Sequence, residues 1–247
     1  MGGATIYFRK NMSTDDSSLP IVPQPGDFAL DPDLNEDLAL ALLKRAELAP
    51  AVLEALSKNS NVMKSRKVKL ALVSHSRTPR HVSLPLVRHL FTFDLMRVAL
   101  TPVVPADIKF AADEVLINRL ETLSSGERLT LARRGSGKVA GALLADKETR
   151  VMTTALENSR LTEAAIIKAL TRQDATIPFV ESVSRHPKWS VRREVRVALL
   201  RNSKTPITRA LEFARSLPAS MLREILNGSH LSANIQAYLR RKLNQRG

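Results

Sequence analysis

The sequence predicts an all-α protein, an α-solenoid of stacked short helical repeats. Three observations carry that prediction. First, the chain echoes itself: residues 51–79 (AVLEALSKNSNVMKSRKVKLALVSHSRTP) align without a gap on residues 178–206 (PFVESVSRHPKWSVRREVRVALLRNSKTP), at an offset of 127. Second, the composition is 44% apolar but only 4% aromatic, so the core must be built from Leu, Val, Ile and Ala. Such a core suits closely packed helices better than a sheet, whose strands favour aromatic and β-branched residues. Third, Pro, Ser and Thr recur at helix-starting positions between short apolar stripes, with turns of about two to seven residues and no convincing strand.

The echo is specific. Ser57 matches Ser184, Val68 matches Val195, Ala71-Leu72 match Ala198-Leu199, and Ser76, Thr78 and Pro79 match Ser203, Thr205 and Pro206. A partial copy, residues 151–162, matches 195–206 at an offset of 44 through Leu156, Asn158 and Ser159, and a degenerate version (LNGSHLS) occupies residues 226–232. Self-similarity at a fixed offset marks repeat architecture. In each copy a helix closes on Leu and a polar turn containing Asn or Ser follows. Thr, Ser or Thr-Pro then opens the next helix as N-cap and first-turn proline. One short helix cannot bury its stripe alone, whereas stacked neighbours make a continuous core. The length of 247 residues exceeds that of a usual compact domain and is ordinary for such a stack.

The elements follow in order. Residues 1–32, with Asp15, Asp16, Ser17, Ser18, Pro20, Pro23, Pro25 and Gly26, have little to bury and read as a disordered acidic leader. Such a leader is either solvated or a lid folded back on a basic surface, and Met12 is an alternative start. Residues 33–247 read as a single helical repeat domain, with 50–120 duplicated as 177–243. Leu34, Leu38, Leu40, Leu42 and Leu43 form the first stripe, with Asp33, Glu36 and Asp37 at the positive helix end. Pro50 begins the next helix, with Val52, Leu53 and Leu56 inward, and residues 68–73 form the one after. Thr78-Pro79 starts another, with Val82, Leu86, Val87 and Leu90 inward. Residues 94–100 are a short helix, and Pro105 opens one running through Leu116 and Leu120. Ser125 caps residues 127–133, and helices at 139–144, 149–156 and 162–170 follow. Pro178, Ser190, Pro206 and Pro218 open further helices, and residues 232–243 close the chain.

The net charge of +14 is unevenly spread. Residues 1–54 hold 4 basic and 9 acidic side chains, 55–98 hold 9 and 1, 99–183 hold 11 of each, and 184–247 hold 14 and 3. The positive excess therefore lies in and beside the two matching copies. Basic positions recur between them: Lys58 with Arg185, Arg66 with Arg193, Lys69 with Arg196, Arg77 with Lys204, Arg88 with Arg215. On a helix over 191–200, Val191, Val195, Ala198 and Leu199 should be buried. Arg192 and Arg196 then share an exposed side, with Arg193 beside them. Lys64, Arg66, Lys67 and Lys69 crowd the twin helix in the same way. With Lys204, these are the candidate anion-binding residues. Few acidic residues lie near them in sequence, so unpaired charge would attract phosphates by counterion release and steering. The alternative is a solvated face with some Arg stems packed on the next repeat.

The run His186-Pro187-Lys188-Trp189-Ser190-Val191-Arg192-Arg193-Glu194-Val195, followed by Ala198-Leu199-Leu200-Arg201-Asn202, resembles the HEAT-like and variant leucine-rich (LRV-like) repeats. In those, a proline turn leads to a Val-Arg pair at the start of the inner helix. The resemblance covers residues 177–206 and, less closely, 50–79. It implies a right-handed superhelix presenting a concave surface. It implies no chemistry, since such folds host many functions.

Other candidate sites are weaker. Trp189, the only tryptophan, looks superficially like the aromatic residue that a family of HEAT-like DNA glycosylases sets in a basic groove. It aligns with Val62 in the twin, which favours ordinary packing. Glu181, Glu194 and Asp174 are its nearest carboxylates in sequence and show no pairing for acid–base work. Residues 133–138 (RRGSGK) evoke a phosphate loop, but Ala132 stands where a glycine is needed and Val139 where Ser or Thr is needed. The segment reads as a flexible turn that could add Arg133, Arg134 and Lys138 to an anion site. His75, His81, His89, His186 and His230 have no metal-binding spacing, and there is no Cys, so disulfides and thiolate sites are excluded. No apolar run reaches the ~18 residues of a membrane span, and the N-terminus lacks a secretory apolar region.

The expectation is a cytoplasmic, non-enzymatic scaffold without cofactor, metal or evident small-molecule substrate. It would bind nucleic acid or an acidic protein surface through its basic face. With so few aromatics, nucleic-acid contacts should be to phosphates and weakly sequence-specific. The rivals are a protein-interaction scaffold, with an acidic helix or its own leader in the groove, and a HEAT-like DNA glycosylase.

Overall fold

The computed structural model describes residues 27–228, 231 and 233–244, and every regular element among them is helical. In order the helices are α1 (Asp27–Leu30), α2 (Glu36–Leu43), α3 (Pro50–Lys58), α4 (Arg66–Ser74), α5 (Arg80–Val87), α6 (Thr92–Leu100), α7 (Ala106–Arg119) and α8 (Ser125–Arg134). Then come α9 (Gly137–Leu143), α10 (Thr149–Leu156), α11 (Glu163–Leu170), α12 (Ile177–Arg185), α13 (Arg193–Arg201), α14 (Ile207–Arg215), α15 (Ala219–Asn227) and α16 (Ala233–Asn244). Single 3-10 turns follow α3 and α7, at Val62–Lys64 and Leu120–Thr122. The echo is structural: α3, α4 and α5 begin at 50, 66 and 80, and α12, α13 and α14 begin at 177, 193 and 207.

Matching side chains make matching bonds. The Thr78 hydroxyl donates to the Leu72 carbonyl at 2.6 Å, and Thr205 donates to Leu199 at 2.6 Å. These threonines were expected to cap the following helix. Instead each ties the turn back to the preceding helix, and the N-cap position falls to Pro79 or Pro206. Ser57 and Ser184 bond back to Glu54 and Glu181 in the same way.

A second device recurs more widely. At Asn59, His75, Asn158, His186 and Asn202 the side chain accepts the backbone N–H two residues on. Its other end reaches 23–32 residues back along the chain. Four of the five donate there to backbone carbonyls; His186 meets the Glu157 carboxylate at 3.0 Å instead. In both histidines Nδ1 accepts the backbone N–H, so Nε2 carries the proton that it donates. Each such residue closes its own turn and fastens it to the end of an earlier helix.

Packing follows the chain. Among the described residues, the substantial helix–helix contacts join helices one or two apart in order. Contacts between helices two apart form strings, α2–α4–α6, α5–α7–α9–α11–α13–α15 and α8–α10–α12, with the pairs α1–α3 and α14–α16 at the ends. The aliphatic core divides into two clusters, one from Ala29 to Val82 and one from Val73 to Leu243, with Leu86 packed against both. Val68 and Val195, the paired centres of the echo, are fully buried.

Several local expectations are corrected. Residues 1–26 of the expected leader lie outside the described residues, but 27–32 belong to the fold. Ala29 is buried, and Asn59 binds the carbonyls of Ala29 and Asp31. Leu38 is 55% exposed, and Ala39 takes its place inside α2. The cap of α8 is Ser124 rather than Ser125, in a reciprocal capping box with Glu127. Residues 187–191 form turns, so α13 opens at Arg193 rather than Ser190, and Val191 is 60% exposed.

Candidate nucleic-acid interface

The two copies treat their cations differently. In the N-terminal copy, Arg66 forks onto Asp94 at 2.6 and 3.1 Å and lies 4.6 Å from the Phe91 ring centroid. Lys67 meets Glu36 at 2.9 Å, and this bond holds the Glu36 carboxyl below the usual range. Lys58 pairs with Glu54, Arg77 with Glu47 and Arg80 with Asp107. The expectation that few acids could neutralise this set is therefore corrected. The partners of Arg66 and Lys67 come from α6 and α2, about 30 residues away, where a local charge count does not look. Lys64 is exposed and Lys69 half-buried, and neither has a side-chain partner.

In the C-terminal copy Arg209 pairs with Glu212 and binds the Ser184 carbonyl, but the cations at the start of α13 meet no acid. Arg192 is exposed without a partner, and Arg193 touches only the Met221 sulfur at 3.4 Å. They stand at the start of α13, where the helix dipole is positive. The equivalent helix α4 is capped by Ser65, which accepts the Val68 N–H. In α13 that position is Arg192, which makes no capping bond. Two exposed arginines thus stand at a helix start that no side chain caps, with Glu194 the only acid of the first turn. Arg196 departs from the expected exposed stripe. It is half-buried, donating to the Ser190 carbonyl at 2.7 Å and the Ser216 hydroxyl at 3.0 Å, so its role is packing. Lys204 is half-buried and donates to the Ala175 carbonyl. Lys188 lies 4.2 Å from the Trp189 ring centroid, and Arg185 is 3.9 Å from Glu181, at the edge of ion-pair range.

Helix α4 belongs to the string α2–α4–α6, and α13 belongs to the string that begins at α5. The charged helices of the two copies share no common stack.

Trp189 is buried, with its indole N–H on the Leu156 carbonyl at 2.9 Å, so it presents no open ring edge to a groove. The RRGSGK segment is a tight junction rather than a flexible turn. A Cβ on Gly137 would collide with the Arg160 carbonyl, and one on Gly135 with the Leu131 carbonyl, so neither position admits a side chain. Ser136 caps α9 and donates to Asp113, whose carboxyl is pushed up by burial. Lys138 pairs with Glu114 over the Phe110 ring, and only Arg133 and Arg134 point free. Among the described residues no group of three His, Cys, Asp or Glu side chains could hold a metal ion. No helix there is long and apolar enough to cross a membrane.

Sequence reasoning missed Arg201, exposed and unpartnered at the end of α13. The signal was in the echo: its counterparts are Ser74 at an offset of 127 and Glu157 at an offset of 44. Comparison with protein-family models, curated proteins and solved structures gives no match to this chain.

Proposed function

We propose that this chain is a cytoplasmic, non-enzymatic α-solenoid scaffold, built like HEAT repeats, that holds the phosphate backbone of a nucleic acid on its C-terminal copy. The observation that carries the reading is the contrast between twins. The same fold unit balances Arg66 and Lys67 with Asp94 and Glu36 in one copy. In the other the counterpart of Lys67 is Glu194, and Arg193, the counterpart of Arg66, stands with Arg192 without an acidic partner at a helix start that no side chain caps. Balanced charge is what a structural surface needs, and unbalanced charge carries a repulsive cost that a bound polyanion relieves. Residues 184–247 hold 14 basic and 3 acidic side chains, so neutralisation within the region is far from complete. The buried Trp189 argues against a glycosylase, since its ring is not open to a flipped base.

The test is a salt titration of binding to a short labelled oligonucleotide. Lys188, Arg192, Arg193 and Arg201 are exposed and form no ion pair. Four phosphate contacts correspond to a slope of about −3 to −4 in log affinity against log salt. A flat titration, or no binding at low salt, would remove nucleic acid as the partner.

A further inference from the structure

A cleft of about 570 Å³ opens at the far end of α13, between the turn after α11, the turn after α13 and the end of α15. Its polar lining is Thr171, whose hydroxyl donates to the Lys168 carbonyl, with Arg172, Gln173, Arg201, Asn202, Ser203 and Lys204. Asn202 is committed to structure through Leu170 and Lys204, and Arg172 forks onto Asp174 at 2.8 and 2.6 Å. The remainder is uncommitted. Arg201 has no partner, the Gln173 amide and Ser203 hydroxyl make no hydrogen bond, and the Lys204 ammonium spends one of its three donors on Ala175.

The position works against a casual reading of these cations. Basic residues at helix C-termini often serve only to cap carbonyls. Neither cation does so: Lys204 donates to Ala175 in the turn between α11 and α12, and Arg201, the last residue of α13, donates to no carbonyl. Three cations against Asp174 leave a net side-chain charge of +2. The ends of α11, α13 and α15 oppose this with roughly half a charge each, so the cleft stays positive. Donors without acceptors around a positive cleft ask for an anion of several oxygens.

We propose that this cleft is a phosphate site, with Arg201, Lys204, Gln173 and Ser203 as its donors. It rests on the reading above in one respect: the phosphate is a backbone phosphate of the bound strand. The cleft lies one helix length, about 12 Å, from the Arg192–Arg193 end, so a strand along α13 reaches both.

The experiment compares the full wild-type chain with Arg201→Ser, which restores the residue of the twin at Ser74 in an exposed position, and with the distant control Arg150→Ser. Each is titrated with a labelled oligonucleotide and, separately, with pyrophosphate. The expected result is an affinity for the oligonucleotide about five-fold lower in Arg201→Ser, with a salt slope shallower by about 0.9, and no change in Arg150→Ser. Equal affinity and slope in wild type and Arg201→Ser would overturn the cleft while leaving the scaffold reading standing. If the wild type binds no oligonucleotide, the scaffold reading fails and pyrophosphate decides the cleft. Binding lost in Arg201→Ser assigns the site to a small phosphorylated ligand, and no binding overturns it.

Discussion

Asn158→Ala should be among the most damaging single changes to the fold. The carboxamide is 2% exposed and makes three hydrogen bonds: to the carbonyls of Ala132 at 2.8 Å and Gly135 at 3.2 Å, and from the Arg160 N–H at 2.8 Å. This side chain ties the end of α8 to the turn after α10. Truncation strands two carbonyls and one N–H where water has little access. At about 1 kcal/mol per orphaned group, the low end for buried polar atoms, the loss is about 3 kcal/mol. Asn202, its counterpart, is half-buried and binds one carbonyl and one N–H, so Asn202→Ala should cost about 1–2 kcal/mol. Urea unfolding of the full chain, followed by helical circular dichroism, measures both as midpoint shifts at constant slope. A loss below about 1 kcal/mol for Asn158→Ala, or a larger loss at Asn202, would refute the view that these amides fasten one helix pair to the last.

Three further outcomes follow from the same structure. Gly137→Ala should destabilise by about 2 kcal/mol because its Cβ meets the Arg160 backbone, whereas Gly126→Ala, with open space around it, should be neutral or stabilising by up to about 0.5 kcal/mol; thermal melts of the two variants separate these cases. Thr78→Val and Thr205→Val should each cost about 1 kcal/mol by removing a hydroxyl hydrogen bond to Leu72 and Leu199, whose carbonyls keep only the C-cap N–H of His75 and Asn202, and unequal losses would show that the two copies are not energetic equivalents. Asp113→Asn should gain stability at neutral pH. Burial raises the Asp113 carboxyl on folding, so its ionised form opposes folding above that raised value, and the penalty fades as pH falls through it towards the ordinary carboxylate range. A stability advantage that does not shrink with falling pH would contradict this.

The helices were legible because prolines and polar turns punctuate aliphatic stripes, and the offset of 127 relates the starts of α3, α4 and α5 to those of α12, α13 and α14. What sequence spacing hid was partnership across a repeat. Thr78 looks like an N-cap because threonine before proline usually starts a helix, yet its hydroxyl finds the Leu72 carbonyl first. Arg66 and Lys67 look unpaired because Asp94 and Glu36 lie on other helices of their string. Arg196 looks like surface on a helical wheel, but the neighbouring turn folds over it through Ser190 and Ser216. Val191 fails for a simpler reason: the turn at 187–191 runs longer than a single proline suggests, so the helical wheel was started too early.

The central claim is that the second copy, and not the first, carries the bound anion. Hydrogen–deuterium exchange of the full chain, with and without saturating oligonucleotide, tests it most directly. Slowed exchange is expected across residues 188–204, around the start of α13 and the cleft at its end, with α4 unchanged. Protection confined to residues 62–77, or none anywhere, would contradict it.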